Sequence, residues 1–392
     1  MRQPEGFIEP GKEGLVCKLL KGVYRLKQSG RVWHHLLKTE LKNIGFKAGE
    51  ADTTVYFRHS QDGSIEIAGW YIDDGLLATN SMQAMDRMVN DIRGSFNIQD
   101  LGKPDRLLGI RISRNRDMGT IHLSQPSFIS TIAKRFDVSA GWQISSPMDA
   151  SSELRASNIT DDLVDIPYAS LIGSLNYCSI TTWPDISFAM NKCAQFMSKL
   201  SITHWEATKR ILRYLLHTRE YGIMYKWEGK GVEGYTHNLA RYMDADFAGD
   251  ITDRKSTTGW LFNFNGSPIS WASKKQSHVS HSLMESGLVA GLFATMEGIW
   301  LIRLSKDFRH IFTPIPLFTD NQSFILFSKN DIRNSRTKHI DMHYHYTRNE
   351  VVAGNIRLHY VPGIANPADV LMKALSPCKH IHILDSLGIC HA

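Results

Sequence analysis

The sequence is short of the features that would place it outside the cell or across a membrane. Its five cysteines, Cys17, Cys178, Cys193, Cys378 and Cys390, are odd in number and widely scattered. They form no disulfide framework, which implies a reducing compartment. The opening MRQPEGFIEPGKEG carries no apolar core and does not read as a secretory signal. No stretch reaches the roughly 18–20 uninterrupted apolar residues of a membrane span. A cytoplasmic or nuclear location is the expectation. There is no internal repeat and no low-complexity tract. The tail CKHIHILDSLGICH gathers Cys378, His380, His382, Cys390 and His391 without a common zinc spacing, so it reads as a solvated helix end. Charge of one sign is also scarce: 45 basic against 39 acidic residues leave a net +6. That permits a polyanionic partner without establishing one. What remains is ordinary for a globular chain, with 42% hydrophobic and 21% charged residues over 392 positions. Such a length suggests two or three domains.

Pattern separates three regions: 1–147, 148–232 and 233–392. The first has a helical period through Trp33, Leu36, Leu37, Leu41 and Ile44, then strands. EIAGWYIDD and GLLATN read as a hairpin turning at Asp73-Asp74-Gly75. SMQAMDRMVNDIRGSF reads as an amphipathic helix with Ser81 as its N-cap. LLGIRISRNRDMGTIHLSQ reads as a second hairpin turning near Asp117-Met118-Gly119. The second region reads as mostly helical, and its third helix carries a basic run, Lys209, Arg210 and Arg213. The third opens with three strands. A long helix follows, from about Ser282 to Phe308. Then strands and helices alternate, with a polar helix near His339–Val352 and a final helix from about Pro367. The fold class expected is a mixed α/β (α+β) chain.

Two groups of carboxylates carry the chemistry. Asp73 and Asp74 are adjacent at a strand turn, where like charges repel unless a cation lies between them. Mg²⁺ or Mn²⁺ suits such oxygen donors. Taken alone, an Asp-Asp-Gly turn is an ordinary hairpin. The second group is spread over separate elements: Asp244 on the first strand of the third region, Glu285 in the first turn of its long helix, Asp320 at the end of its fourth strand, and Asp369 near the start of the last helix. Each alone reads as a cap or a solvated end. As an ordered set, they read as a metal site.

The segments QPEGF (Gln3–Phe7), VCKLLKGVYRLKQSGRVW (Val16–Trp33), ADTTVYF (Ala51–Phe57), YIDD (Tyr71–Asp74) and DLGKPDRLLGIRI (Asp100–Ile112) resemble the copia-type LTR-retrotransposon Pol polyprotein. YASLIGSLNY (Tyr168–Tyr177), TTWPDISFA (Thr181–Ala189), DADFAGD (Asp244–Asp250), TDNQS (Thr319–Ser323) and LHYVPGIANPADVLMKAL (Leu358–Leu375) continue the resemblance to the end. It implies part of a reverse-transcriptase palm and thumb, a helical connection, and a ribonuclease H-like five-stranded mixed sheet. It makes Asp73, Asp74, Asp244, Glu285, Asp320 and Asp369 metal-binding catalytic carboxylates. Two-metal phosphoryl transfer on RNA–DNA hybrids or primer–template nucleic acid is the implied chemistry. Gln28, with Arg31 nearby, would contact template and nucleotide, and Leu108-Gly109 would grip the primer end. Lys274, Lys275, Arg336 and Lys338 would hold the backbone, with Arg254, Lys255 and Arg348 nearby. Association with an intact Pol protein, in a virus-like particle, is also implied.

Departures qualify the expectation. The family's fingers and first palm aspartate would lie before residue 1, so polymerisation by this chain alone is not expected. Arg25 replaces a family glycine, a conflict if φ there is positive. Gly287 and Leu288 replace a glutamate and a tyrosine in the long helix, and glycine inside a helix costs about 1 kcal/mol. The ribonuclease H set is complete, so its activity is the one expected to survive. The alternative is a non-catalytic nucleic-acid-binding remnant of a decayed transposon copy.

Overall fold

The computed structural model describes residues 1–23, 25–152, 154–155, 166–227, 239–308, 313–329 and 341–391. The chain divides into two compact units, residues 1–103 with 303–310, and residues 104–302 with 311–392.

The first unit contains α1 (Ser29–Asn43), β1 (Lys47–Ala48), β2 (Val55–His59), β3 (Ile65–Tyr71), β4 (Asp74–Thr79) and α2 (Met82–Ser95). The strands pair antiparallel in the order β1-β2-β3-β4. Leu37 and Leu41 on α1, and Met88 and Ile92 on α2, are each four residues apart and so share a helix face. These faces meet Phe46, Tyr56 and Ala68 in one core. Ser81 caps α2, its hydroxyl accepting the Ala84 N–H at 3.4 Å. Within the same core sheet, Glu66 is fully buried and paired with Arg58. The hairpin turn falls one residue earlier than expected. Tyr71 pairs with Asp74, so Ile72 and Asp73 form the turn. A two-residue hairpin needs a residue at positive φ, and here it is Ile72, at φ 57°. A β-branched residue in that region is strained by about 1–2 kcal/mol. Arg25 likewise sits at φ 69°, the conflict the sequence anticipates for a bulky residue there.

The second unit begins with β5 (Arg106–Leu107), β6 (Ile110–Asn115), β7 (Thr120–Ser124) and α3 (Pro126–Arg135). It continues with α4 (Tyr168–Thr181), a 3₁₀ turn over Pro184–Ile186, α5 (Ser187–Ala194), α6 (Ile202–His217) and β8 (Tyr221–Lys226). The helices bury Leu171, Leu175, Trp183, Ile186, Ile211 and Leu215 in a common core. The strands join a sheet ordered β14-β8-β7-β6-β5, in which β14 (Ile389–His391) is the end of the described chain. This ladder was not expected. It pairs Thr120–Ser124 with 222–226, across the position-147 boundary drawn from pattern. It also pairs 389–391 with 221–223, across the one at 232.

The other sheet of this unit holds β9 (Leu239–Asp246), β10 (Thr257–Phe264), β11 (Ser267–Lys275), β12 (Ile315–Thr319) and β13 (Ile356–Tyr360). Its order is β11-β10-β9-β12-β13, with β9–β11 antiparallel and β12 parallel to both β9 and β13. This is the mixed five-stranded sheet the sequence implies. Between the strands run α7 (Leu283–Asp307), α8 (Gln322–Lys329) and α9 (Asp341–Val352). Among the described residues α7 alone is long and apolar enough on average to cross a membrane, although Glu297 and Arg303 interrupt its apolar run. Most of that stretch is buried within the protein, and Leu288, Ala290, Ala294 and Ile302 join the core under the sheet, as a core helix would. Gly287, read from sequence as damage, has a packing role. A Cβ there would stand 2.2 Å from Asn321 Nδ2, and one on Gly291 would stand 2.4 Å from the Phe324 ring. The two glycines let the start of α8 approach α7, and the Asn321 amide donates to the Leu283 carbonyl at 3.0 Å. The expected last helix is two pieces, a 3₁₀ turn over Pro367–Leu371 and then α10 (Pro377–Ser386). A buried trio anchors α10: Asp185 accepts from Tyr214 Oη at 2.6 Å and lies 3.2 Å from His380 Nε2.

Candidate active site

Three carboxylates of the second set arrive on three different elements. Asp244 lies on β9, which alternates sides, so Asp244 and Asp246 share a face opposite Met243. Asp320 directly follows β12, the parallel neighbour of β9. Asp369 is in the 3₁₀ turn after β13, only 2% exposed. That turn is fastened to β9 by Asn366, which is buried. Its amide donates to the Met243 carbonyl at 3.2 Å, and its Oδ1 accepts the Ala368 N–H. Gly259 provides the room. It pairs opposite Asp244 on β10, and a Cβ there would meet the Leu371 Cβ at 2.9 Å and the Ala368 carbonyl at 3.0 Å. Gly363 does the same for Asp320, whose carboxylate would meet an added Cβ at 2.8 Å.

The electrostatics follow. Burial pushes the Asp244 carboxyl well above the usual carboxylate range, and the charges of Asp320 and Asp369 push it further. Asp246 is raised too, again chiefly by burial, with Lys373 opposing. Glu285 takes a different role. It is buried in the first turn of α7, its Oε2 accepts the His281 N–H at 2.7 Å, and its own N–H donates to Ser282 Oγ. This is a helix-capping arrangement.

Carboxylates gathered on neighbouring elements, with Asp244 and Asp246 raised in pKa and only hard oxygen donors on offer, suit a divalent cation by their chemistry. Their present geometry is not that of a preassembled site. Among the described residues no group of three or more His, Cys, Asp or Glu side chains stands ready to hold an ion. Lysines neutralise Asp369 instead. Lys373 Nζ lies 2.8 Å from Asp369 Oδ1, and Lys379 Nζ hydrogen-bonds Oδ2. The sequence reading missed both lysines, although Lys373 stands four residues after Asp369, the spacing of a helical ion pair. Lys379 has no such signal.

A second ion cluster joins α5 and β11 to the segment after β9. Asp250 is buried, and its Oδ2 lies 2.7 Å from both Lys192 Nζ and Lys275 Nζ. Burial alone would raise its carboxyl, but hydrogen bonds from Lys192, Lys275 and the Thr252 N–H outweigh burial and hold it below the usual range. A depressed folded pKa gives stability that is present above the unfolded value and lost as pH falls through the folded one. Asp250→Asn is therefore expected to lower stability at pH 7 by about 1–3 kcal/mol. The difference from wild type should shrink as pH falls below about 4. Urea unfolding at pH 7 and pH 3 measures it, and equal losses at both would refute the ion-pair account.

The remaining expected residues are dispersed. Asp73 and Asp74 are exposed at the β3–β4 hairpin, and Trp33 Nε1 donates to the Ile72 carbonyl, fixing α1 to the turn. Gln28 is the N-cap residue of α1 and Arg31 lies on its first turn, both exposed. In the other unit, Leu108 and Gly109 form the β5–β6 turn with φ of 50° and 77°, and Tyr177 Oη donates to the Leu108 carbonyl. Lys274 is exposed, its ammonium 4.1 Å from the Phe293 ring centre. Lys275 is bound to Asp250 and Asp253. Its charge is already matched within the chain. Arg336 and Lys338 lie outside the described residues.

Comparison with known proteins now gives the class. Residues 1–150 match the family model described as reverse transcriptase (RNA-dependent DNA polymerase). The chain belongs to the copia-type LTR-retrotransposon Pol family, being 33% identical to the putative transposon Ty5-1 protein of Saccharomyces cerevisiae across 70% of this chain and 87% of that one. It is 34% identical to the Retrovirus-related Pol polyprotein from transposon TNT 1-94 of Nicotiana tabacum across 96% of this chain. It spans only 28% of that polyprotein, about a quarter of such a relative's length. Among solved structures, the foamy viral protease–reverse transcriptase in complex with dsDNA is similar over 87% of this chain and 60% of its own, at TM-score 0.45 and 14% identity.

Proposed function

We propose that this chain hydrolyses the RNA strand of RNA–DNA hybrids at the Asp244 site. The observation that carries this reading is that Asp244 on β9, Asp320 at the end of the adjacent strand β12, and Asp369 in the turn that Asn366 ties to β9 are borne by neighbouring elements of one sheet. Asp244, Asp320 and Asp369 would hold divalent cations, with Glu285 joining them if its cap opens. Bound there, Mg²⁺ supplies the Lewis acidity that water activation and departure of the 3′ oxygen require. The chain's own part would be to hold Asp244 on β9, Asp320 at the end of β12 and Asp369 in its buried turn. Exposed Lys274 and Arg254 would contact the sugar–phosphate backbone, giving salt-dependent binding without sequence preference. Asp73 and Asp74 would belong to a polymerase site, and we assign no polymerisation to this chain by itself.

The test is cleavage of a labelled hybrid by the purified chain. RNA cuts are expected with Mg²⁺ or Mn²⁺ and none with a chelator in excess. Cleavage that survives chelation, or no cleavage with either ion, overturns the reading. A second reading, a non-catalytic nucleic-acid-binding remnant, is favoured by one observation: both oxygens of Asp369 are already paired with lysines. It expects hybrid binding that weakens steeply with salt and no turnover.

A further inference from the structure

We infer that Lys373 and Lys379 are built-in counter-cations of the carboxylate site, holding Asp369 in the metal-free protein and leaving it when a divalent cation binds. The inference rests on the reading of Asp369 as a metal ligand and adds how the site exists without metal.

Three observations carry it. First, the lysines divide the carboxylate between them, Lys373 on Oδ1 and Lys379 on Oδ2, so an incoming ion must displace at least one ammonium. Second, Asp369 is buried to 3% side-chain exposure, while the lysine side chains are 40% and 33% exposed. The carboxylate is fixed by its turn, and the ammoniums are on flexible stems that reach water. The mobile partners are therefore the ones that can leave. Third, Lys373 acts on more than its own partner. Its charge also opposes the upward pKa shift of Asp244 and Asp246. A monovalent cation thus stands beside Asp369 where a divalent one is expected.

Competition has a definite sign. Removing either ammonium frees an oxygen of Asp369, deepens the negative potential and leaves the carboxylates repelling one another. Each effect favours cation binding. A part-exposed ion pair sets the scale, so each removal should tighten binding by up to about fivefold. Were the lysines supports that hold Asp369 in position for the ion, removal would weaken binding instead.

The experiment is titration of the full chain with Mn²⁺ alone, without nucleic acid, following free Mn²⁺ by electron paramagnetic resonance. Wild type, Lys373→Gln, Lys379→Gln, the double variant, Lys379→Arg and Asp369→Asn are compared. Glutamine keeps the reach and a hydrogen-bond donor without the charge, and circular dichroism confirms the fold of each. Tighter Mn²⁺ binding by both Gln variants, tightest in the double, and near-wild-type binding by Lys379→Arg are expected. Unchanged or weaker binding by the Gln variants overturns the inference while leaving the metal site standing, provided Asp369→Asn loses binding. Mn²⁺ binding that is absent in every protein, or indifferent to Asp369→Asn, overturns the metal-site reading and this inference together.

Discussion

Asp244→Asn is expected to reduce hybrid cleavage by about 10³-fold or more while leaving the metal-free protein as stable as wild type, or more so. The two halves of that result have one cause. Asp244 is the carboxylate whose pKa is raised most plainly, first by burial and then by the charges of Asp320 and Asp369. Asparagine keeps the shape and one oxygen but cannot supply the negative charge that holds a divalent cation, and losing several kcal/mol of stabilisation removes about three powers of ten in rate. Stability runs the other way. A carboxyl whose folded pKa lies above its unfolded value contributes stability at low pH and loses it as pH rises through the folded value. At pH 7–8 wild type bears that loss, and the neutral amide does not. Thermal melts in chelator, with cleavage measured in parallel, separate the outcomes. A variant that loses activity and stability together would mean Asp244 is a structural residue.

Gly259→Val should be nearly as damaging, although residue 259 carries no chemistry. The backbone at 259 pairs with Asp244 on one side and receives the Asp369 turn on its face. Leu371 and Ala368, the atoms an added side chain would strike, are themselves fully buried and cannot swing aside. The turn must lift from the sheet, carrying Asp369 away from Asp244. A displacement near 1 Å is enough to cost about 10²-fold in rate, with about 1–3 kcal/mol of stability lost to overpacking. Gly259→Ala should fall between. Cleavage by Gly259→Val within a few-fold of wild type would show that the turn is positioned by something else, Asn366 being the next candidate.

Much of this was readable in the chain. The three strands of 239–275, the long apolar helix and the strand–helix alternation after it declare a mixed sheet through their periods alone. Asp244, Asp320 and Asp369 could be singled out because each stands at or near the end of an element, whereas the capping bonds that occupy Glu285 could not be foreseen. What escaped reading depends on distant partners. β14 is three residues long and exists only because β8 offers it an edge, and no local propensity announces such a strand. The hairpin turn was placed one residue late because aspartate and glycine favour turns, whereas the positive φ falls on Ile72. Gly287 looked like decay until Asn321 filled the space beside it. Asp369 was assigned to a helix, and the Ser376-Pro377 pair that starts α10 separately was there to be read. The Lys379 contact joins that later helix to the earlier turn, which only packing reveals.

The strand β14 also bears on how the chain is made. Its partner β8 is synthesised some 165 residues earlier, and β8 has β7 on its other side. On the ribosome the sheet that begins at Arg106 can form as far as β8. Its outer edge then stays open until residue 391 emerges, which at ~5–20 residues per second is about ten to thirty seconds. An open edge for that long is an invitation to pair with a neighbouring nascent chain. The chain is therefore open to misassembly at this edge during translation, until Ile389–His391 emerge to cover it.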